Sequence, residues 1–280
     1  MPANAQSIRI TDDYRAKLVR LRTQAAATAT KAWPIVTLAD LDGSVNQWAQ
    51  VTGEAVTRGQ LLAATLTNLY LASYVASETG TPVQPSGADL SQYAGKTEDG
   101  RPVVDLLRGA LIAVRVSLLN GNGGEQALAT GLARGVRGAA GQVLAAGRIA
   151  MDDLTQGDDR IIGWRRVAAG NACGVCLGAA TGAIQADSEL LLCHDSCRCT
   201  KEPVVAGVRD TVRRPTGEEV FAAKTPDEQN ATFAGTGGEA KADLIRNGDV
   251  SLTDLIRTVP QAARPDQLVE APLQALAPAR

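Results

Sequence analysis

The cysteines and the histidine of this chain are crowded into one short window, and this crowding constrains the fold more than any other feature. All five cysteines lie between Cys173 and Cys199, and the only histidine, His194, lies among them. The order is Cys173-x2-Cys176, then 17 residues, then His194-x2-Cys197. Pairs of this kind are typical of structural zinc sites, because a two-residue spacer lets one tight turn direct both ligands at the same ion. The spacing therefore predicts a small domain stabilised by a metal.

The predicted zinc ligands are Cys173, Cys176, His194 and Cys197. Cys199 is the alternative to Cys197, which is favoured because the spacer after His194 mirrors the spacer of the first pair. Four protein ligands fill a tetrahedral shell and leave no position for a reacting water, so the site is predicted to be structural. Cys193 is expected to point away from the ion, and Gly174 to ease the first turn. A disulfide or a set of free thiols is the alternative, although an odd number of cysteines cannot all be paired.

The chain before this window carries apolar residues at helical spacing. Residues 11–29 place one apolar face on a helix, formed by Tyr14, Leu18, Leu21 and Ala25. Thr11 is the predicted N-cap of this helix, and Pro34 is expected to interrupt it. Two later apolar runs, over 104–118 and 125–153, have the same spacing and predict two further helices.

A long helix is predicted between these segments, beginning at Ser44. Ser44 followed by Gln47 matches a capping box. The predicted core face of this helix consists of Trp48, Val51, Ala55, Leu62, Leu66 and Leu69. Hydrophobic residues make up 45% of the chain but aromatics only 3%, so the core is expected to be thin and helical. Residues 1–155 are therefore predicted to form a helical bundle or layer.

The character of the sequence changes near residue 160. β-branched and aromatic residues flank the cysteine window, which predicts two short strands that each lead into a ligand-bearing turn. Residues 156–205 are thus predicted to be a Cys/His zinc-binding domain of α+β type. Residues 206–280 are rich in Pro, Thr and Glu and are predicted to be a flexible, extended tail with a short helical segment near 239–259. The predicted fold class is mainly α.

Composition and residue counts limit the functions that are expected. The net charge of −2 gives no general attraction to nucleic acid or to membrane surfaces. No apolar run reaches the roughly 18 residues of a membrane-spanning helix. A triad hydrolase, or a nuclease of the His-Asn-His type, needs a histidine as base besides the metal ligands. Because His194 belongs to the predicted ligand set, no enzymatic activity is expected.

Two segments around the cysteines carry a family signature, "GWRRVAAGNACGVC" and "HDSCRCTKEPVV". Together they resemble the C-terminal signature of phage head-morphogenesis proteins, the Mu F-like minor capsid proteins found in actinobacterial phages and prophages. The matching residues are Trp164, Arg165, Arg166, Cys173, Cys176, His194, Cys197, Cys199 and Pro203. The signature spans residues 163–205, and the helical part carries no diagnostic residues.

The resemblance implies a minor head protein of a tailed phage or prophage. Such a protein associates with the portal protein and other capsid components, and it is located in the virion, at the capsid interior or portal vertex, after assembly in the host cytoplasm. The resemblance also allows contact with packaged DNA, for which Arg165 and Arg166 are candidates, and implies neither a membrane nor a small-molecule substrate. The alternative is a nucleic-acid-binding zinc knuckle. Residues 160–201 contain five basic and three acidic residues, which is only a modest positive excess.

Overall fold

Long helices account for most of the protein. The computed structural model describes residues 5–186, 189, 191, 197–208, 214–233 and 238–257. The helices are α1 (Ala5–Ala32), α2 (Leu41–Thr79), α3 (Val103–Leu107), α4 (Gly109–Leu119), α5 (Gly124–Gln156), α6 (Gly174–Gly178), α7 (Gly217–Ala222), α8 (Pro226–Thr232), α9 (Gly238–Arg246) and α10 (Leu252–Arg257). The strands are β1 (Ile161–Val167) and β2 (Thr200–Val205). The predicted fold class, mainly α with a small α+β unit, is confirmed. Within the described ranges, no helix combines the length and the apolar character needed to cross a membrane.

Helices α1, α2 and α5 pack against one another and form the main core. Tyr14 of α1 stacks on Tyr70 of α2, with ring centroids 4.2 Å apart. Trp48 of α2 is fully buried and donates its indole N–H to the carbonyl of Ala29 at 2.9 Å. Gly135 of α5 lies directly against the Trp48 ring, where a Cβ atom would overlap it. The small residues of α5 therefore allow the helices to approach closely around a few large side chains.

Helix α1 begins earlier than the sequence predicts. It starts at Ala5, and Thr11 lies buried inside it, with its hydroxyl donating to the carbonyl of Ser7 at 3.1 Å. The prediction of Thr11 as N-cap is wrong, because this part of α1 packs on α2 and the helix extends beyond the local capping signal. The predicted core face is confirmed: Tyr14, Leu18, Leu21 and Ala25. The helix ends at Ala32, and Pro34 lies in the short 3-10 turn that follows.

Helix α2 also begins earlier than predicted. Its N-cap is Asp40, whose carboxylate accepts the backbone N–H of Gly43 at 3.1 Å. The predicted start at Ser44 is wrong, since the Ser44 hydroxyl donates back to the carbonyl of Asp40 within the first turn. A carboxylate satisfies an unpaired N–H there and also interacts favourably with the helix dipole, which favours the earlier start.

The predicted core face of α2 is wrong for three of its six residues. Trp48 is buried, but Val51, Leu62 and Leu69 are 44%, 51% and 49% exposed. The core side of the helix is instead rich in small residues, including Ala49, Gly53, Gly59, Ala63 and Ala64. Because α1 and α5 both pack closely on α2, the buried positions favour small side chains and the large apolar ones remain on the outer side.

The two strands pair in antiparallel fashion and join the cysteine window to the helices. The register aligns Trp164 with Pro203 and Val167 with Thr200. Ile161 and Val205, at the other end of the sheet, are buried in the same core as α1, α2 and α5. The predicted pair of strands is therefore confirmed, and one end of the sheet packs on the helical layer.

Helices also form in the segment that was predicted to be a tail. Helices α9 and α10 fall in the helical segment predicted near 239–259. Helices α7 and α8 were not predicted, and the extended conformation expected for this stretch does not hold. Each begins with a capping box, at Thr216 and Thr225, where the threonine and a glutamate bond to each other's backbone N–H. Phe221 of α7 is buried and holds this stretch against the rest of the protein. Residues 258–280 of the predicted tail lie outside the described residues.

Candidate metal centre

The sheet and helix α6 bring the two halves of the cysteine window together. Cys173 is the N-cap residue of α6, and Cys176 lies within this helix. Cys197 and Cys199 come directly before β2. Because the last residue of β1 pairs with the first residue of β2, the chain leaving β1 and the chain entering β2 are neighbours. All four cysteines therefore lie at the same end of the sheet.

Three of these cysteines form a buried cluster. The Sγ atoms of Cys176, Cys197 and Cys199 lie within 4.8 Å of one another, and all three residues are buried. The Sγ atoms of Cys176 and Cys197 are 3.5 Å apart, and both residues are free thiols. The backbone N–H of Cys199 also donates to the Cys197 sulfur at 3.4 Å. Buried sulfurs in this arrangement can hold a metal ion.

The structure brings three of the four predicted ligands close together. Cys176 and Cys197 lie in the cluster, and Cys199, predicted as the alternative to Cys197, lies there with it. The two residues therefore do not exclude each other. Cys173 is half-buried, and its thiol is hydrogen-bonded to that of Cys176. The remaining predicted ligand, His194, lies outside the described residues, as does its neighbour Cys193 in the sequence.

The environment of the cluster favours protonated thiols as long as no cation is bound. Hydrogen bonds with Cys173, Cys197 and Cys199, together with burial, raise the pKa of the Cys176 thiol far above its ordinary range. Neighbouring thiolates would repel one another where little water can screen them. A divalent cation reverses this preference, because it binds the deprotonated sulfurs. Binding of such a cation at the cluster would therefore release protons and weaken as the pH falls.

An apolar shell around the cluster was missed by the sequence analysis. Phe221, Ala242 and Leu252, from α7, α9 and α10, are buried in the same core as the cysteines. Gly174 lies so close to the Phe233 ring that a Cβ atom would overlap it. Gly174 was expected to ease a turn, but its φ angle is not positive. It makes room for the ring instead. The T-x-x-E patterns that begin at residues 216 and 225 were the available signal for these helices.

Trp164 and Lys201 fix the sheet beside the cluster. Trp164 is buried and donates its indole N–H to the carbonyl of Glu189 at 2.9 Å. The Lys201 ammonium lies 4.3 Å from the centroid of the Trp164 ring and donates to the same carbonyl at 2.8 Å. It also pairs with Asp152 of α5 at 2.5 Å. This ion pair ties the end of the sheet that carries the cysteines to the helical layer.

The two arginines predicted as contacts to a partner or to DNA lie in β1. Arg165 and Arg166 are aligned with Glu202 and Lys201 of β2. Both arginines are half-buried, and both have interactions within the chain. A contact of either residue with DNA would therefore compete with interactions that already belong to the fold.

Comparison with known proteins identifies no relative. No family model, no curated protein and no solved structure matches this chain. The resemblance to phage head-morphogenesis proteins therefore stays a hypothesis that depends on residues 163–205.

Proposed function

We propose that the protein is a minor capsid protein that docks on the portal of a tailed phage, and that a structural zinc ion holds its cysteine-containing unit together. The first support comes from the cluster itself. Soft thiolate ligands favour zinc over the hard cations calcium and magnesium. The sulfurs lie in an apolar core formed with α7, α9 and α10, and such a closed site gives stability rather than catalysis.

The proposed zinc ligands are Cys173, Cys176, Cys197 and Cys199. The last three form the buried cluster, and Cys173 supplies the fourth sulfur because its thiol is already hydrogen-bonded to Cys176. This set replaces His194, which the spacing and the resemblance favoured, with a cysteine. Zinc content separates the two sets: His194→Ala should keep the ion, whereas Cys173→Ala should lose it.

The observation that carries the docking proposal is an exposed apolar stripe on α2. The α2 stripe consists of Val51, Leu62 and Leu69, each about half exposed. These residues are 11 and 7 positions apart, close to whole numbers of helical turns, so they lie on one side of the helix. Large apolar side chains in such a row favour a protein partner over water.

Helix α4 supports the same interpretation. Ile112, Val116 and Leu119 are 64%, 49% and 85% exposed, and their spacing again places them on one side of a helix. Two exposed apolar rows on the helical layer fit a subunit whose role is to bind other subunits, which is the role that the resemblance implies. The proposal assigns no catalytic step to the protein.

Co-expression with the portal protein of the same genome tests the docking proposal. The Leu62→Ser/Leu69→Ser variant changes the stripe without touching a buried side chain, and it should no longer co-purify with the portal. The matched control is Ile162→Ser/Ile184→Ser, which changes two side chains of similar exposure, 55% and 50%, outside the helical layer. Retention of the portal by the stripe variant, or equal loss by both variants, would contradict the proposal.

A further inference from the structure

Four arginines from three parts of the chain lie near the cysteine cluster; we call them the arginine junction. They are Arg15, Arg22, Arg148 and Arg198. The first two lie seven residues apart on α1 and therefore on one side of that helix. Arg148 comes from α5, and Arg198 comes from the segment between the last two cysteines. All four are half-buried, and Arg15, Arg148 and Arg198 line one crevice between these elements.

Two members of the junction have partners that hold them in place. Arg15 donates to the carbonyl of Ala168 at 2.8 Å and lies 3.5 Å from Asp12. Arg148 donates to the carbonyl of Cys197 at 2.5 Å. These contacts hold both guanidinium groups in place. Each group carries five N–H donors, so donors remain for a ligand.

The other two members have no acidic partner among the residues that the structure describes. The Nε atom of Arg22 is buried and donates no hydrogen bond there. Burial and the nearby charge of Arg198 lower the pKa of Arg22, so the two cations repel each other. No described residue that lines the crevice is acidic. Arginines such as Arg22 and Arg198, which have no compensating acid among the described residues, are expected where an external anion supplies the negative charge.

We propose that the arginine junction binds a phosphate group. Arg15, Arg148 and Arg198 line the crevice from three different parts of the chain. A tetrahedral oxyanion has oxygens that can meet donors from several directions, whereas a carboxylate is planar. The crevice has a volume of about 10 Å³, which is close to the space of one water-sized atom. It therefore accepts a phosphate oxygen at its mouth, while a sugar or base stays outside. A phosphodiester of nucleic acid and free phosphate are the two sources of this chemistry.

The site depends on the fold of the cysteine segment and not on portal docking. Arg198 lies between two cysteines of the cluster, so the conformation of that segment decides where its guanidinium points. The competing role for these arginines is to neutralise metal-bound thiolates. That role predicts a lower zinc affinity when they are removed, and it predicts no response to phosphate.

Thermal unfolding of the full-length protein in sodium phosphate and in sodium chloride at equal ionic strength tests the proposal. The junction variant is Arg22→Gln/Arg198→Gln. The control, Arg58→Gln/Arg137→Gln, removes the same charge from exposed positions on α2 and α5. Phosphate should stabilise the wild type and the control more than chloride does. The junction variant should lose this difference, with a Kd for inorganic phosphate raised about tenfold or more, as expected for the loss of charged hydrogen bonds.

A fluorescent DNA duplex identifies the source of the phosphate. The site binds nucleic acid if duplex binding weakens in the junction variant and not in the control. The slope of log K against log salt concentration should then also fall by about one for each lost phosphate contact. Phosphate binding without duplex binding assigns the site to free phosphate. Both results support the site.

Three results would overturn the proposed phosphate site. The first is an equal response of the junction and control variants to phosphate, because general salting effects then explain the stabilisation. The second is a loss of zinc from the junction variant with its phosphate response intact. The third is junction-dependent binding of a poly-glutamate peptide that matches the binding of phosphate, because the ligand is then a carboxylate.

Discussion

Removing the charge of Lys201 should loosen the attachment of the cysteine-containing unit to the helical layer. The Lys201 side chain is 2% exposed and that of its partner Asp152 is 13% exposed, so this is a buried ion pair. Lys201→Met keeps the aliphatic stem and leaves the Asp152 carboxylate without its nearest cation. Breaking a buried pair from one side costs about 3–5 kcal/mol, and the contact with the Trp164 ring is lost as well.

The double variant Asp152→Leu/Lys201→Met distinguishes the effect of the unpaired charge from the effect of altered packing. A buried pair that is replaced by apolar side chains of similar size is often neutral for stability. We therefore expect the double variant to be close to the wild type, with a coupling free energy of about 2 kcal/mol or more between the two sites.

The cost of Lys201→Met should also depend on pH. Burial raises the pKa of Asp152 above its ordinary value even though Lys201 lowers it, so the loss of Lys201 raises it further. A carboxyl with a higher pKa in the folded protein binds its proton more tightly there. Its contribution to stability is complete below the ordinary pKa of about 3.9 and is lost as the pH rises through the folded value. The destabilisation should therefore be smaller in mild acid than at neutral pH.

Urea unfolding followed by circular dichroism, at several pH values, measures these differences. A loss below about 1 kcal/mol, typical of exposed ion pairs, would show that the pair is not buried in solution. A loss that does not change with pH would show that Asp152 does not retain a buried charge. Either result would refute the role assigned to this pair.

Three further substitutions test the packing. Phe221→Ala should cost about 3–5 kcal/mol and speed the release of zinc to a chelator, and an unchanged release rate would place α7 away from the cluster. Gly174→Ala should cost about 1–3 kcal/mol in thermal unfolding because the Phe233 ring must move. Its control Gly170→Ala, which meets open space, should stay within about 0.5 kcal/mol, and equal effects would contradict the close approach. Asp40→Ala should lower the free energy of unfolding by about 1 kcal/mol; no change would place the start of α2 elsewhere.

The helices of the N-terminal half follow from the sequence, but the buried side of α2 does not. The apolar spacing of α1 predicted its core face, because only one side of that helix carries a continuous row of large residues. In α2, Val51 and Leu62 have the same periodicity as core residues, and only the positions of α1 and α5 decide that they stay exposed. Alanine favours a helix on any side, so buried residues such as Ala63 gave no directional signal.

The cysteine spacing predicted that Cys176 and Cys197 lie together, but not that Cys199 joins both of them. Alternate residues of an extended segment point to the same side, so Cys197 and Cys199 could have been predicted to act together. The capping boxes could likewise have indicated α7 and α8. No local pattern specifies that Phe221 packs on the cysteines, because that contact depends on how separate helices dock on α6.

Elemental analysis of the purified full-length protein tests the central claim most directly. We expect about one zinc per chain, released by a chelator together with the protease resistance of residues 161–257. Cys176→Ser should lose the ion, and Cys193→Ser, outside the proposed ligand set, should keep it. A metal-free protein that resists protease equally with and without chelator would contradict the claim.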